Sequence, residues 1–218
     1  MSPELKFHSI IISITTLIMF TIWIKVTSFI VAYPLLSVFL AGIFSLGVYR
    51  FLTTILLSLF RNIIFIKKFI LGSSYMEGTW VGFFVGHQNK IKYIVETFEQ
   101  NLTELKIRGN MYNNKILHGS YISHDVTIDI KNGTISYLYD ADVMTNTHNN
   151  PGLAKFNFER PNKESPPNRL TGYSSDLFSP TKLIAFEEKI SDKTTIEISD
   201  ALEKSIEIYN KYKANIKE

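Results

Sequence analysis

Cysteine is absent from this 218-residue chain. Disulfides, thiolate nucleophiles and cysteine-based zinc sites are thereby excluded. No Gly-x-Ser-x-Gly elbow, no phosphate-cradling glycine loop and no His-Glu-x-x-His pair occurs. The histidines, His8, His87, His118, His124 and His148, are scattered. His118 and His124 fall six apart in an expected strand, on one face but ~20 Å from each other, too far to share a metal. Asp140-Ala141-Asp142 begins like a calcium loop, but Met144 stands where the next oxygen ligand belongs, and the loop glycine is missing. These acids read as solvated loop residues. The chain reads as a non-enzyme with no metal and no resident cofactor.

Charge is nearly absent from the first quarter. Phe7–Ile24 has no charged side chain, Lys25 interrupts, and Val26–Tyr49 is again uncharged. A helix needs roughly 20 apolar residues to cross the hydrocarbon core, so two spans, about 7–24 and 28–49, read as a transmembrane hairpin. The first run is too long for a signal-peptide core, and no small-residue cleavage site precedes Lys25. Trp23, Tyr33 and Tyr49 lie near the span ends, where interfacial aromatics sit. Residues 1–74 hold six Lys or Arg against one acid, whereas the remainder holds 17 basic and 19 acidic residues. The overall positive charge therefore belongs to the membrane segment, and the rest has no basic footprint for polymeric nucleic acid.

Residues 51–71 are apolar but punctuated. Arg50, Arg61 and Lys68 return to nearly one helical face, with Leu52, Leu59, Ile63, Ile66 and Ile70 opposite. Three readings fit: a linker helix with a solvated stripe, a basic amphipathic helix among lipid phosphates, or a continuation of the second span. The interfacial helix is preferred.

Past Gly72-Ser73-Ser74 the periodicity changes to two. Strands are expected at Gly78–Gly86, Lys90–Glu99, Leu102–Gly109, Ile116–Lys131, Thr134–Val143, Leu153–Glu159, Arg169–Asp176 and Thr181–Ile190. Asn132-Gly133 reads as a two-residue type I′ hairpin turn. Short sequential connections make the sheet antiparallel, and eight such strands close most economically into a minimal up-and-down, lipocalin-like β-barrel over 75–190. Trp80, flanked by Gly78 and Gly82, is expected inside. Residues 191–218 read as a C-terminal amphipathic helix from Ser199, its cap, with Leu202, Ile206, Tyr209 and Tyr212 in helical spacing. It is free to pack across the barrel or against a partner.

Recognition-type residues are plentiful. Tyr75, Trp80, Tyr93, Tyr121, Tyr137, Tyr139 and Tyr173 lie in or beside strands, able to stack a base or to serve as ordinary strand formers. Arg108, Arg160, Arg169 and Lys182 are the cations nearest strand ends.

Tyr75-Met76-Glu77-Gly78-Thr79-Trp80-Val81-Gly82, opening a barrel directly after a two-span anchor, resembles the CD-NTase-associated two-transmembrane β-barrel effectors of bacterial CBASS antiphage systems. Arg169-Leu170-Thr171-Gly172-Tyr173, Ser175-Asp176 and Thr181-Lys182-Leu183 resemble the penultimate hairpin of that barrel. The likeness spans about residues 1–190. It implies an antiviral effector whose barrel senses a cyclic dinucleotide, and whose copies then assemble and disrupt the bacterial inner membrane. Arg169, Tyr173, Lys182, Tyr121 and Tyr139 are the expected ligand contacts, and a second copy and membrane lipids the expected partners. Arg169 bridging to a nearby carboxylate is the competing role for that side chain. The rival classes are a membrane-tethered lipocalin-like binder of an apolar ligand and a structural interaction module.

The basic residues that follow the second span favour both termini in the cytoplasm. A C-terminal alkaline phosphatase fusion should be inactive, and a C-terminal fluorescent fusion bright; periplasmic phosphatase activity would reverse the topology.

Overall fold

A computed structural model of the chain describes residues 2–86, 89–144, 150–178 and 181–215. It divides into two compact units, residues 1–71 and 72–218. In the first, α1 (Pro3–Lys25) is followed by a short helix α2 (Thr27–Ala32), the long α3 (Pro34–Asn62) and α4 (Ile64–Leu71). The Ser2 hydroxyl caps α1 by accepting the Leu5 N–H, and Pro3 occupies a first-turn position that needs no donor. Pro34 does the same for α3. α1 and α3 are both long and apolar enough to cross a bilayer, and they leave Leu17, Phe20, Leu35, Phe39 and Leu46 exposed.

Residues 51–71 do not form one helix. Residues 51–62 continue α3, and the chain breaks at Ile63, whose backbone is extended, before α4 begins. Nothing in the sequence between Pro34 and Asn62 interrupts the helical hydrogen-bond ladder, since neither Gly42 nor Gly47 forces a bend. His8 and Tyr49 hydrogen-bond at 2.9 Å, tying α1 to α3.

The second unit is a closed antiparallel barrel with strands in sequence order: β1 (Gly78–Val85), β2 (Ile91–Gln100), β3 (Leu105–Asn113), β4 (Ile116–Asp129), β5 (Thr134–Val143), β6 (Asn150–Glu159), β7 (Arg169–Asp176) and β8 (Leu183–Ser191). Closure comes from β1 pairing β8, Phe83 opposite Phe186 and Gly82 opposite Glu187.

One end is filled. Trp80 is fully buried, stacks on Phe98 with centroids 5.2 Å apart, and donates its indole N–H to the Met76 carbonyl at 2.8 Å. Leu105, Ile107, Ile135, Phe156, Phe158 and Leu170 complete this layer. The segment leading into β1 is drawn across the same end by Gln100, which accepts the Met76 N–H and donates to the Ser74 carbonyl.

Two hairpins differ from expectation. The β4–β5 connection is a four-residue loop in which Gly133 has a positive φ and Asn132 does not. A type I′ turn needs both; here the Asp129 carboxylate instead accepts the Asn132 N–H at 3.0 Å and closes the loop itself. The two-residue turn with both φ positive is Asn114-Lys115, between β3 and β4.

β4 also carries two register shifts, one opposite Met111/Tyr112 and one between His124 and Thr127, where Asp125 has a positive φ. The first changes the parity of His118 relative to His124, so the two do not share a face. Asp140, Ala141 and Asp142 lie within β5 and are not loop residues.

α5 (Ile198–Tyr212) packs on the outer face of β1, β2 and β8. Ala201, Leu202, Ile208 and Tyr212 bury Val81, Phe83 and Val95, and the Ser205 hydroxyl donates to the Gly82 carbonyl. Ser199 is not the cap: Glu197 holds that position, and the Ser199 hydroxyl bonds Asp200 within the first turn.

Truncation of Trp80 to Ala should lower the unfolding free energy by ~3–5 kcal/mol. An unchanged denaturation midpoint would place the indole outside the core.

Candidate functional site: a half-filled barrel

Above the filled layer the barrel holds a cavity of about 440 Å³, within the size range of small-molecule sites. Glycine opposite tyrosine shapes its wall. Gly109 faces Tyr121 and Gly152 faces Tyr139 across neighbouring strands, and a Cβ at either glycine would collide with the tyrosine ring. The missing side chains let the rings lie flat against the sheet. Tyr121 and Tyr139 are then 5.8 Å apart, and Tyr137 stands 6.4 Å from Tyr139 and stacks on Phe156. Ile94, Met111, Ala154 and Leu183 supply the apolar part of the wall.

Charge is distributed by height. Lys90, Lys92 and His118 line the upper wall, with Asp176 and Ser174 from β7 also facing the space. Burial pulls Lys92 below the ordinary lysine range, with Lys90 adding repulsion; burial, with Lys92 nearby, does the same to His118.

Glu187 lines the lower part of the cavity, and Glu96 sits beside it, both essentially inaccessible to solvent. Tyr121 donates its hydroxyl to Glu96 Oε1, and Tyr137 approaches the same oxygen at 3.4 Å. The two carboxyls also hydrogen-bond to one another. Neither Oε2 finds an N–H or hydroxyl donor, so a proton held by one carboxyl must supply that bond. Burial, followed by the neighbouring Glu96 charge, pushes Glu187 well above the usual carboxylate range. Burial also raises Glu96, opposed by the hydrogen bonds it receives.

The structure brings Tyr121 and Tyr139 together in this cavity. Arg169, Tyr173 and Lys182 are elsewhere. On β7, Leu170 and Ser174 point inward, which turns Arg169 and Tyr173 outward. The Arg169 guanidinium bonds Glu159 at 2.6 Å and Glu188 at 3.3 Å and lies 5.3 Å from the Tyr212 ring. It clasps β6, β8 and α5 together. Lys182 sits 4.6 Å over the Tyr173 ring. Arg108 pairs with Glu99, and Arg160 lies over Phe158. His87, His148, Ser179 and Pro180 lie outside the described residues.

No protein-family profile matches the chain, and no curated protein or solved structure matches it. Among the described residues no group of three or more His, Asp or Glu side chains gathers as metal ligands.

Lys92, His118 and the glutamate pair were not among the expected ligand contacts. Their signal was parity. In Ile94, Val95, Glu96, Thr97, Phe98 the glutamate alternates in step with the inward Ile94 and Phe98, and Glu187 is in step with the inward Ala185.

The glutamate pair makes a stability prediction. A carboxyl whose folded pKa is raised holds its proton in the folded state after the unfolded chain has lost it. Its penalty is absent well below the unfolded value of about 4.3 and grows with pH until the folded pKa is passed. Glu187→Gln removes the titration while keeping a donor toward Glu96. The melting temperature of the variant should therefore gain on the parent as pH is raised from 4 to 8. A constant difference across that interval would mean that Glu187 is ionised in the fold.

Proposed function

We propose that this chain is a membrane-anchored ligand sensor of antiphage defence. Its barrel binds a cyclic dinucleotide in the cytoplasm, and binding drives association of the apolar helices that disrupts the bacterial inner membrane. The observation that carries the reading is the coincidence, in one cavity, of the tyrosine platform with Lys90, Lys92 and His118. Aromatic faces stack bases in a sequence-tolerant way, and lysines near them take phosphate. The exposed apolar surfaces of α1 and α3 support the anchor. A Cβ at Gly42 or Gly47 would meet nothing within this chain, which leaves both glycines open to close approach by a helix of another copy.

A ligand promotes assembly only if it binds the assembled state more tightly than the single chain. The sensor and the anchor are therefore separable by mutation. With full-length protein in lipid nanodiscs, a panel of 3′,3′-cyclic dinucleotides should include at least one that binds. Lys92→Ala should weaken it about 10- to 100-fold, the loss of one charge-assisted contact. Gly42→Leu should bind as the parent does and fail to release dye from liposomes.

The apolar wall of Ile94, Met111, Ala154 and Leu183 favours the second reading, a tethered lipocalin-like carrier of an apolar ligand. Saturable binding of a fluorescent fatty acid, together with indifference to every cyclic dinucleotide, would select it.

A further inference from the structure

The cyclic dinucleotide reading leaves the carboxyl pair without a task. Glu96 and Glu187 come from β2 and β8, the two neighbours of β1, in register with Trp80 and Gly82 respectively. Inward-facing Gly82 has no side chain to separate them, and the two carboxyls meet across it. Burying two acids against each other disfavours folding unless they are neutralised. Other devices would fill this volume at less expense: an apolar side chain, or a serine bonded to a tyrosine. Glu96 is anchored by Tyr121 and Tyr137, whereas Glu187 faces the cavity.

We infer that the Glu96–Glu187 pair is the base-reading element of the barrel, in which the neutral carboxyl exposed to the cavity hydrogen-bonds the Watson–Crick edge of a nucleobase. This rests on the cyclic dinucleotide reading and specifies which part of the ligand goes deepest. A protonated carboxyl presents an O–H donor and a carbonyl acceptor side by side. Every nucleobase carries a matching donor–acceptor pair on that edge, whereas a fatty acyl chain carries none. On binding, the Glu187 O–H that bonds Glu96 turns to the base edge, and Glu96 keeps the Tyr121 and Tyr137 hydroxyls. The apolar lower wall of Ile94 and Phe156 suits a base plane, and Lys90, Lys92 and His118 remain above for the phosphates.

The arrangement links binding to a proton. The groups that face the pair are Tyr121 from β4 and Tyr137 from β5; Tyr139, Asp176, His118, Lys90 and Lys92 share the cavity. An imidazole's ordinary range lies closest to neutrality, so His118 must be separated from the pair.

The test uses full-length protein in nanodiscs and isothermal titration with the panel of 3′,3′-cyclic dinucleotides between pH 6 and pH 9. Affinity for the tightest member should fall with rising pH, approaching tenfold per unit once the pair has lost its proton, since one proton is linked. Glu187→Gln, a permanent donor–acceptor, should bind within about threefold of the parent at pH 6 and show no slope. Glu187→Leu, checked for folding by near-ultraviolet circular dichroism, should lose at least thirtyfold. His118→Asn should keep the slope. If Glu187→Gln retains the parent's pH slope, or Glu187→Leu binds as the parent does, the pair is not the base reader, although the sensor reading survives. If the parent binds no member of the panel at any pH, the sensor reading fails and this inference fails with it.

Discussion

An eight-stranded open sheet would present two rows of unpaired N–H and C=O groups, one on β1 and one on β8. Pairing those strands satisfies both rows, and the remainder of the barrel domain depends on that seam. Closure brings Glu187 next to Glu96 with only β1 between, and it offers α5 a continuous outer surface over β1, β2 and β8. Gly82 sits at the centre of the seam. Its carbonyl accepts the Ser205 hydroxyl from outside, while inside its missing side chain lets the two carboxyls meet. A Cβ there would run into the backbone of Phe186, so the close approach of β1 to β8 is itself written for glycine.

A barrel of this size has room for side chains or for one small molecule, rarely for both along its whole height. The chain resolves that by dividing the height. Trp80, Phe98 and the Met76 segment fill one end, while Gly109 and Gly152 withhold side chains from the other. Stability and cavity are thus assigned to different layers. The buried carboxyls lie at the boundary, where the dielectric is low and the tyrosine hydroxyls are the nearest donors.

Arg169 shows why a surface pattern and an interior site are easily exchanged on paper. Arg169 and Tyr173 share a face, as positions four apart on a strand must. Which face that is depends on Leu170 and Ser174, whose parity places them inside. The guanidinium then finds Glu159 and Glu188, which no local spacing could have announced: they lie on β6 and β8, and Tyr212 arrives on a helix from the far end of the chain.

Local patterning was enough to reveal eight strands, the inward Trp80, the change of composition near residue 72 and two helices long and apolar enough to cross a bilayer. Each of those follows from periodicity or from an uncharged run, and neither needs a distant partner. Tertiary structure decided the rest. The type I′ turn fell to Asn114-Lys115 because Asp129 closes the Asn132-Gly133 loop with its own carboxylate. His118 entered the cavity because a register shift in β4 broke the alternation that would have kept it in step with His124. The helix expected over 51–71 divided at Ile63, where the backbone is extended, its first part continuing α3. The carboxyl pair is the clearest case. Glu96 and Glu187 are separated by most of the barrel's sequence, and only closure of the sheet makes them neighbours.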